Sequence, residues 1–276
     1  MPVKVLDDSN EGFYSDWADG VNWAVARGAR IINLSAGGDR EDTTLAAAVS
    51  NAVRQGVIFI TATHNDGRAK VAYPARLAST IAVGNTTSND ILYPTSNYGP
   101  EVDLVAPGAR IATVSRSGGL VLGTGTSFAS AVVSGVAALL CAKRPGLGNA
   151  AVRRILRASA EDGVGDARDV PGFDTFYGWG RLNAYHALLL AGLHCTGVAP
   201  EAGGRVTITW PSPGNAAQKA AVGIEFAAAP GGPWTRLPAL SNVVYTATET
   251  RWTDDGSQTG TAPAGGTRRF YRPYLK

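Results

Sequence analysis

Short apolar runs rich in β-branched residues alternate with helix-like stretches through residues 1–192, and this alternation restricts the fold more than any other feature of the sequence. Helices are predicted around Ser15–Arg27 and Thr43–Gln55, and further helices after Ser127, in "GNAAVRRILRASA" and in "GWGRLNAYHALLLAG". The expected strands are "VKVL", "ARIINLS", "GVIFITAT", "TIAVGNT" and "VDLVAPG". This order predicts βαβ units, and therefore an α/β fold with a parallel sheet and helices on both faces.

The composition changes from about Leu193, where a second, smaller domain is predicted to begin. We interpret the segment "TGVAPEAGG" as a linker, and short strand-like runs separated by Gly, Pro and Ser follow it. This pattern is typical of a small antiparallel β-sandwich of the fibronectin type III kind. The sequence therefore predicts two domains, residues 1–192 and residues 193–276.

Charge and hydropathy argue against several classes of protein. The chain has 25 Lys and Arg against 22 Asp and Glu, and it lacks the basic stripe of a protein that binds nucleic acid. The longest uncharged apolar stretch, Phe128–Leu140, is shorter than the roughly 20 residues that cross a bilayer, so no membrane span is expected. The first residues lack the pattern of a signal peptide. No Asp-rich spacing indicates calcium, and neither a metal nor a cofactor is expected.

Ser127 lies in "GTGTSFASAVVSGVAALL", between a glycine-rich turn and an apolar run that predicts a buried helix. A nucleophilic serine needs a base for its proton and hydrogen-bond donors for the oxyanion, and a helix N-terminus supplies part of that stabilisation. Gly123 and Gly125 would leave room for the backbone of a substrate. The competing interpretation is that Ser127 or Thr126 only caps a core helix, because both residue types are favoured caps.

Several segments resemble those of the subtilisin-like serine proteases, and they occur in the order of that family. "GTSFASAVVSG" resembles the nucleophile motif G-T-S-x-A-x-P-x-x-x-G, except that Ala131 replaces the proline. "SAGG" is similar to the substrate-edge motif S-x-G-G, and "TATHNDG" is similar to A-A-G-N-x-G, whose asparagine binds the oxyanion. "YPTSNYGPEVDLVAPGARI" and "GWGRLNAYHAL" resemble later family segments, so the resemblance covers most of residues 3–191.

The resemblance implies a secreted, extracellular bacterial endopeptidase that hydrolyses polypeptide substrates through an acyl-enzyme. It implies that Ser127 is the nucleophile and that the Asn65 side chain is an oxyanion donor. It also implies an edge that pairs with the substrate and two walls of the primary pocket. These substrate-binding positions are Ser35, Ala36, Gly37, Thr61, Ala62, Thr63 and His64.

Two motifs of the family, D-[ST]-G and H-G-T-H-x-A-G, do not occur in the sequence. We therefore expect a truncated protease that is weak or inactive alone and is complemented by an N-terminal fragment, and whose uncovered sheet favours self-association. His64 stands where the family usually has glycine, so it is either a replacement base or a wall of the pocket. The alternatives are a non-catalytic peptide-binding module and a promiscuous esterase that uses Ser127, Asn65 and His64.

Overall fold

The structure is a computed structural model of the chain, and it describes residues 1–115, 117–192, 197–202, 205–211, 222–227, 235–237, 240–245, 249–254, 257–259 and 270–275. The chain divides into two compact units, Met1–Ala184 and Tyr185–Lys276. The domain boundary expected between residues 192 and 193 lies eight residues after the division between these two units. The predicted domain bounds stay a prediction.

The first unit is built around a four-stranded parallel sheet with the strand order β1-β2-β3-β4. Its strands are β1 (Ile31–Leu34), β2 (Ile58–Ala62), β3 (Ile81–Thr86) and β4 (Leu104–Pro107). Its helices are α1 (Tyr14–Ala26), α2 (Thr43–Arg54), α3 (Thr126–Lys143) and α4 (Asn149–Ser159). The predicted α/β alternation is confirmed.

Apolar side chains cover the sheet and decide where its helices lie. Every residue of β2 is buried, as expected for a parallel strand that is covered on both faces. On α1 and α2, Trp17, Leu45 and Val49 form one core cluster with Phe59 of β2. Helix α3, which carries Ser127, packs against all four strands. It is therefore part of the hydrophobic core that covers the sheet.

By length and composition alone, α3 also meets the requirements of a membrane-spanning helix. It has 18 residues and a mean hydropathy of 1.5, and 44% of that window is buried inside the protein. The stretch used for the sequence-based expectation, Phe128–Leu140, lies within this helix and is shorter than it. Core helices of soluble proteins pass the same test, and α3 has the packing of a core helix.

The sequence-based assignment was wrong for "VKVL" and missed a hairpin. Residues 3–6 pair with no strand of the described chain, and Val5 and Leu6 instead pack against the core cluster beneath α1. A strand forms only where a neighbouring strand offers unpaired backbone N–H and C=O groups. An apolar pattern in the sequence does not show whether such a neighbour exists. The hairpin consists of the antiparallel strands β5 (Ile111–Val114) and β6 (Leu120–Gly123).

In its described residues, the second unit contains one helix and two antiparallel sheets. The helix is α5 (Ala184–Ala191). The sheets have the orders β11-β12-β8-β7 and β10-β9-β13. Their strands are β7 (Gly197–Pro200), β8 (Val206–Pro211), β9 (Val222–Ala227), β10 (Thr235–Arg236), β11 (Val243–Tyr245), β12 (Glu249–Asp254) and β13 (Phe270–Leu275).

Contacts between β12 and β13 connect these two sheets. The rings of Trp252 and Tyr271 meet edge to face at 6.0 Å, and the Tyr271 hydroxyl donates to Asp254 at 2.7 Å. The predicted antiparallel sheets are therefore present. The segment interpreted as a linker, residues 196–204, instead contributes β7, which pairs with β8.

Asp103 joins the central sheet of the first unit to α4. Its side chain is fully buried and accepts the backbone N–H of Ala82 in β3 at 2.9 Å. Two arginines of α4, Arg153 and Arg157, donate to its other oxygen at 2.6 and 2.5 Å. The carboxylate therefore has partners on both oxygens, as a buried charge requires.

We predict that Asp103→Ala lowers the free energy of unfolding by about 2–4 kcal/mol, because it leaves both arginines and the Ala82 N–H without their acceptor. Urea unfolding followed by circular dichroism measures the change. Asp8→Asn is the control, because Asp8 forms an exposed ion pair with Lys4 at 3.9 Å, and we expect it to change stability by less than about 0.5 kcal/mol. Equal stability of the two variants would contradict the prediction.

Candidate active site

Ser127 is the second residue of α3, and it does not cap the helix. The N-cap is Gly125, whose φ of +153° favours glycine and which has no side chain to cap the helix. The Ser127 side chain is half-buried, and its hydroxyl donates to the carbonyl oxygen of Ser35 at 3.4 Å. No acceptor in the described part of the chain takes the Ser127 backbone N–H. The capping interpretation of Ser127 and Thr126 is therefore wrong.

Asn65 follows the end of β2, and its side chain reaches the first turn of α3. Its Oδ1 atom accepts the backbone N–H of Thr126 at 2.9 Å and the Thr126 hydroxyl at 3.1 Å. Both donors need an oxygen acceptor, so the atom of the carboxamide that binds Thr126 is Oδ1. The amide nitrogen Nδ2 is therefore the polar atom of this side chain that does not bind Thr126. Thr126 therefore links the Asn65 side chain to Ser127, the next residue of α3.

The edge segment of residues 35–38 follows β1 and lies beside Ser127. The Ser35 hydroxyl donates to the Ser127 carbonyl at 3.2 Å and lies 3.0 Å from the Ser130 hydroxyl. Gly38 exchanges two backbone hydrogen bonds with Tyr73, at 2.9 and 2.8 Å. The backbone groups of Ala36 and Gly37 bond to no other backbone group in the described part of the chain.

The four residues predicted to flank the primary pocket differ in their exposure. Thr61 and Thr63 are 0% exposed and Ala62 is 6% exposed, because they lie at or directly after the buried end of β2. His64 alone among them reaches the surface, with 41% of its side chain exposed. It adopts a φ of +87°, in the left-handed region that residues with a side chain rarely occupy.

The imidazole of His64 is held by Asp66. Its Nδ1 atom lies 2.9 Å from Asp66 Oδ2. Among the described residues, no hydrogen bond joins His64 to Ser127, so the structure does not bring the possible replacement base into position. Burial raises the pKa of the Asp66 carboxyl, but hydrogen bonds from Arg68, His64 and Asn97 outweigh it and lower this pKa to about 2.

Asn97 supports this loop, and the sequence analysis did not identify it. Its side chain is buried, accepts the Asp66 backbone N–H at 2.8 Å and donates to the Lys70 carbonyl at 2.9 Å. Its own backbone N–H donates to the His64 carbonyl at 2.9 Å. A single asparagine in a loop has no local signature that would distinguish it from a turn residue.

The described residues include no cluster of three or more His, Cys, Asp or Glu side chains that could hold a metal ion. The acidic groups near the site instead pair with cations of the chain. Asp39, for example, lies 3.3 Å from the Lys70 ammonium and 3.4 Å from the Arg68 guanidinium.

Because the pKa of Asp66 is lowered, the free energy of unfolding depends on pH in the acid range. The value of about 2 is below the ordinary 3.8, so this carboxylate stabilises the folded state above about pH 4, and the contribution disappears as pH falls toward 2. We predict that Asp66→Asn reduces this acid-induced loss by about 1 kcal/mol, after allowance for solvent screening. Urea unfolding between pH 2 and 5 provides the test.

The matched control is Asp19→Asn, because Asp19 is exposed on α1. The control should keep the pH dependence of the unmodified chain. Part of that dependence also remains in Asp66→Asn, because a hydrogen bond from Arg168 lowers the pKa of Asp166 to about 2. Identical pH profiles for Asp66→Asn and the unmodified chain would contradict the prediction.

Comparisons with known proteins find the same family along the first unit. The subtilase family (Peptidase S8) model matches residues 1–180. The "Thermophilic serine proteinase" of Bacillus sp. strain AK1 is 36% identical over 188 residues, which cover 68% of this chain and 45% of the relative. "Subtilisin Savinase" of Lederbergia lenta is 36% identical over 182 residues, which cover 66% of this chain and 65% of the relative. The chain thus spans about half the length of the first relative and about two thirds of the second.

Solved structures lead to the same assignment. The structure described as the patellamide maturation protease PatA is similar with a TM-score of 0.61 and 33% identity, over 67% of this chain and 71% of that one. A cold-adapted subtilisin-like serine proteinase is similar with a TM-score of 0.57 and 35% identity, over 66% of this chain and 63% of that one. The parallel sheet, the position of Ser127 on α3 and these matches agree, and the chain belongs to the subtilase family of serine proteases.

Proposed function

We propose that this chain carries the nucleophile and oxyanion half of an endopeptidase site, in which Ser127 attacks a peptide carbonyl. The observation that carries the proposal is the pair of hydrogen bonds from Thr126 to Asn65 Oδ1, at 2.9 and 3.1 Å. With Oδ1 occupied, Nδ2 is the arm left to donate to an oxyanion, together with the Ser127 backbone N–H. Both donors lie at the N-terminus of an 18-residue helix, whose dipole also favours negative charge.

The proposed substrate is a polypeptide that lies along the edge segment of residues 35–38. Ala36 and Gly37 have backbone groups that no other backbone group of the described chain occupies, and they directly follow Ser35, which contacts Ser127. An extended peptide would pair with these groups as an added strand, which would place one of its carbonyls near the Ser127 hydroxyl. Extracellular function is part of this proposal, by analogy with the subtilisins.

A base for Ser127 is the remaining requirement. The Ser127 hydroxyl donates to the Ser35 carbonyl, and His64 is bound to Asp66, so neither arrangement activates the serine. We therefore propose that an imidazole comes from a complementing polypeptide that carries the D-[ST]-G and H-G-T-H motifs of the family. Without it, the residual rate enhancement expected from an oxyanion site alone is about 10³–10⁴ over water.

The second candidate function is a peptide-binding module without catalysis. The observation in its favour is the same bond between the Ser127 hydroxyl and the Ser35 carbonyl, which keeps the serine away from a reacting geometry. In that case peptides would bind the edge segment equally well in the unmodified chain and in Ser127→Ala. The esterase alternative has no comparable support, because His64 does not bond to Ser127.

We predict that a fluorophosphonate probe labels Ser127 when the complementing polypeptide is present. Asn65→Asp keeps an oxygen acceptor for Thr126 but removes the amide donor, so it should lower the labelling rate about 10²–10³-fold. This magnitude is the one measured for loss of the corresponding donor in subtilisin itself. Mass spectrometry of the labelled peptide measures the rate, and Ser127→Ala should show no label.

Asn22→Ala, an exposed change on α1, controls for general effects and should retain the full rate. Absence of label on Ser127 under all conditions would refute the catalytic proposal and favour the peptide-binding module. Equal rates for Asn65→Asp and the unmodified chain would remove Asn65 from the oxyanion site.

We also propose that the chain self-associates through the hairpin formed by β5 and β6. Val114, Leu120 and Leu122 are 71, 81 and 56% exposed, and adjacent exposed apolar side chains favour association. We predict oligomers at micromolar concentration by size-exclusion chromatography with light scattering. The double variant Leu120→Ser/Leu122→Ser should shift the distribution to monomer, whereas a monodisperse monomer of the unmodified chain would contradict the proposal.

A further inference from the structure

We propose that the His64 side chain fills the primary pocket of the site and restricts it to substrates with a small side chain before the scissile bond. The inference rests on the proposed function, because it takes the edge segment of residues 35–38 and the loop after β2 as the pocket walls. What is new is that His64, held by its own polar network, would determine the size of the accepted side chain.

The first observation is the contact between the two walls. A methyl group built on the α-carbon of Gly37 would lie 3.3 Å from His64 Cδ2, 3.0 Å from Ala72 Cβ and 3.3 Å from the Tyr73 carbonyl oxygen. The two carbon–carbon separations are shorter than the ordinary contact distance of about 3.5–4.0 Å. The imidazole carbon Cδ2 therefore faces Gly37 across the space between the two walls.

The second observation is that backbone hydrogen bonds set the distance between the walls. Gly38 and Tyr73 exchange two such bonds, and the Ala72 N–H donates to the Thr63 carbonyl at 3.1 Å. The walls therefore cannot separate without breaking backbone bonds of a buried segment. The side chain of His64 is the part of the pocket that substitution can remove.

The third observation is that the imidazole is fixed in this place. Asp66 holds Nδ1 at 2.9 Å, and Asn97 binds both the Asp66 backbone N–H and the His64 carbonyl. The Arg68 guanidinium donates to the same Asp66 oxygen at 2.9 Å and completes the network. Asp66 is therefore a positioning residue, which acts through His64.

The backbone conformation of His64 is unfavourable for a residue that has a side chain. A φ of +87° suits glycine, whereas a residue with a β-carbon is strained there. Such strain persists where the surroundings impose it, which Asn97 and Asp66 do here. The substitution His64→Gly would both relieve the backbone strain and remove the imidazole from the pocket.

The test compares two peptidyl diphenyl phosphonate probes that differ only in the side chain next to phosphorus, methyl or benzyl. In the presence of the complementing polypeptide, we expect the methyl probe to label Ser127 of the unmodified chain at least about tenfold faster than the benzyl probe. His64→Gly should raise the rate of the benzyl probe at least about tenfold relative to the methyl probe. An unchanged ratio would overturn the proposal.

Two variants refine this comparison. Asp66→Ala should raise the relative benzyl rate by a smaller factor, because the imidazole remains but is no longer held. Arg110→Gly is the matched control, since Arg110 is an exposed residue with a φ of +58°, and relief of strain there should leave the ratio unchanged. A simple fluorophosphonate, which has no side chain for the pocket, should react equally with His64→Gly and the unmodified chain.

A second measurement keeps the pocket proposal testable if Ser127 is unreactive. Fluorescence anisotropy compares the binding of two labelled peptides, with Ala or Phe at the same position, to Ser127→Ala and to Ser127→Ala/His64→Gly. The Phe peptide should gain at least about tenfold in affinity in the double variant, and the Ala peptide should not. Equal gains for both peptides, or no gain, would overturn the proposal, whereas failure of fluorophosphonate labelling alone bears on the proposed catalytic function.

Discussion

The candidate site depends on the two hydrogen bonds that Thr126 donates to Asn65 Oδ1. They connect the end of β2 with the first turn of α3, two elements that are distant in sequence and pack against each other. Thr126 is fully buried, so its hydroxyl needs this acceptor for folding as well as for the site. The orientation of the Asn65 amide is therefore set by the same contact that positions the start of α3.

His64 is the residue to which we assign the size of the primary pocket. Its imidazole lies against Gly37, and Asp66, Asn97 and Arg68 form the network that supports it. The network tolerates a strained backbone because several hydrogen bonds would be lost if the loop relaxed. Subtilase membership assigns the class of chemistry, whereas this network concerns which peptides the site would accept.

The fold and the site were predictable to different extents from sequence. The bounds predicted for α1 and α2 agree with the structure to within one residue, because apolar periodicity is local information. The strand expected in "VKVL" did not form and β5 and β6 were missed, although Gly118 and Gly119, both with positive φ, provide the turn between them. The capping role considered for Ser127 was wrong, because Gly125 provides the N-cap.

Residue order and spacing were enough to predict the α/β alternation, the motif around Ser127 and the likeness to subtilases, because these features are patterns along the chain. The three-dimensional fold was needed to see that Asn65 Oδ1 faces Thr126, that Asn97 supports the loop after β2 and that the His64 imidazole lies against Gly37. These contacts join residues from different strands and loops. Their geometry depends on which backbone and side-chain groups remain unpaired once the sheet has formed, and no local pattern contains that information.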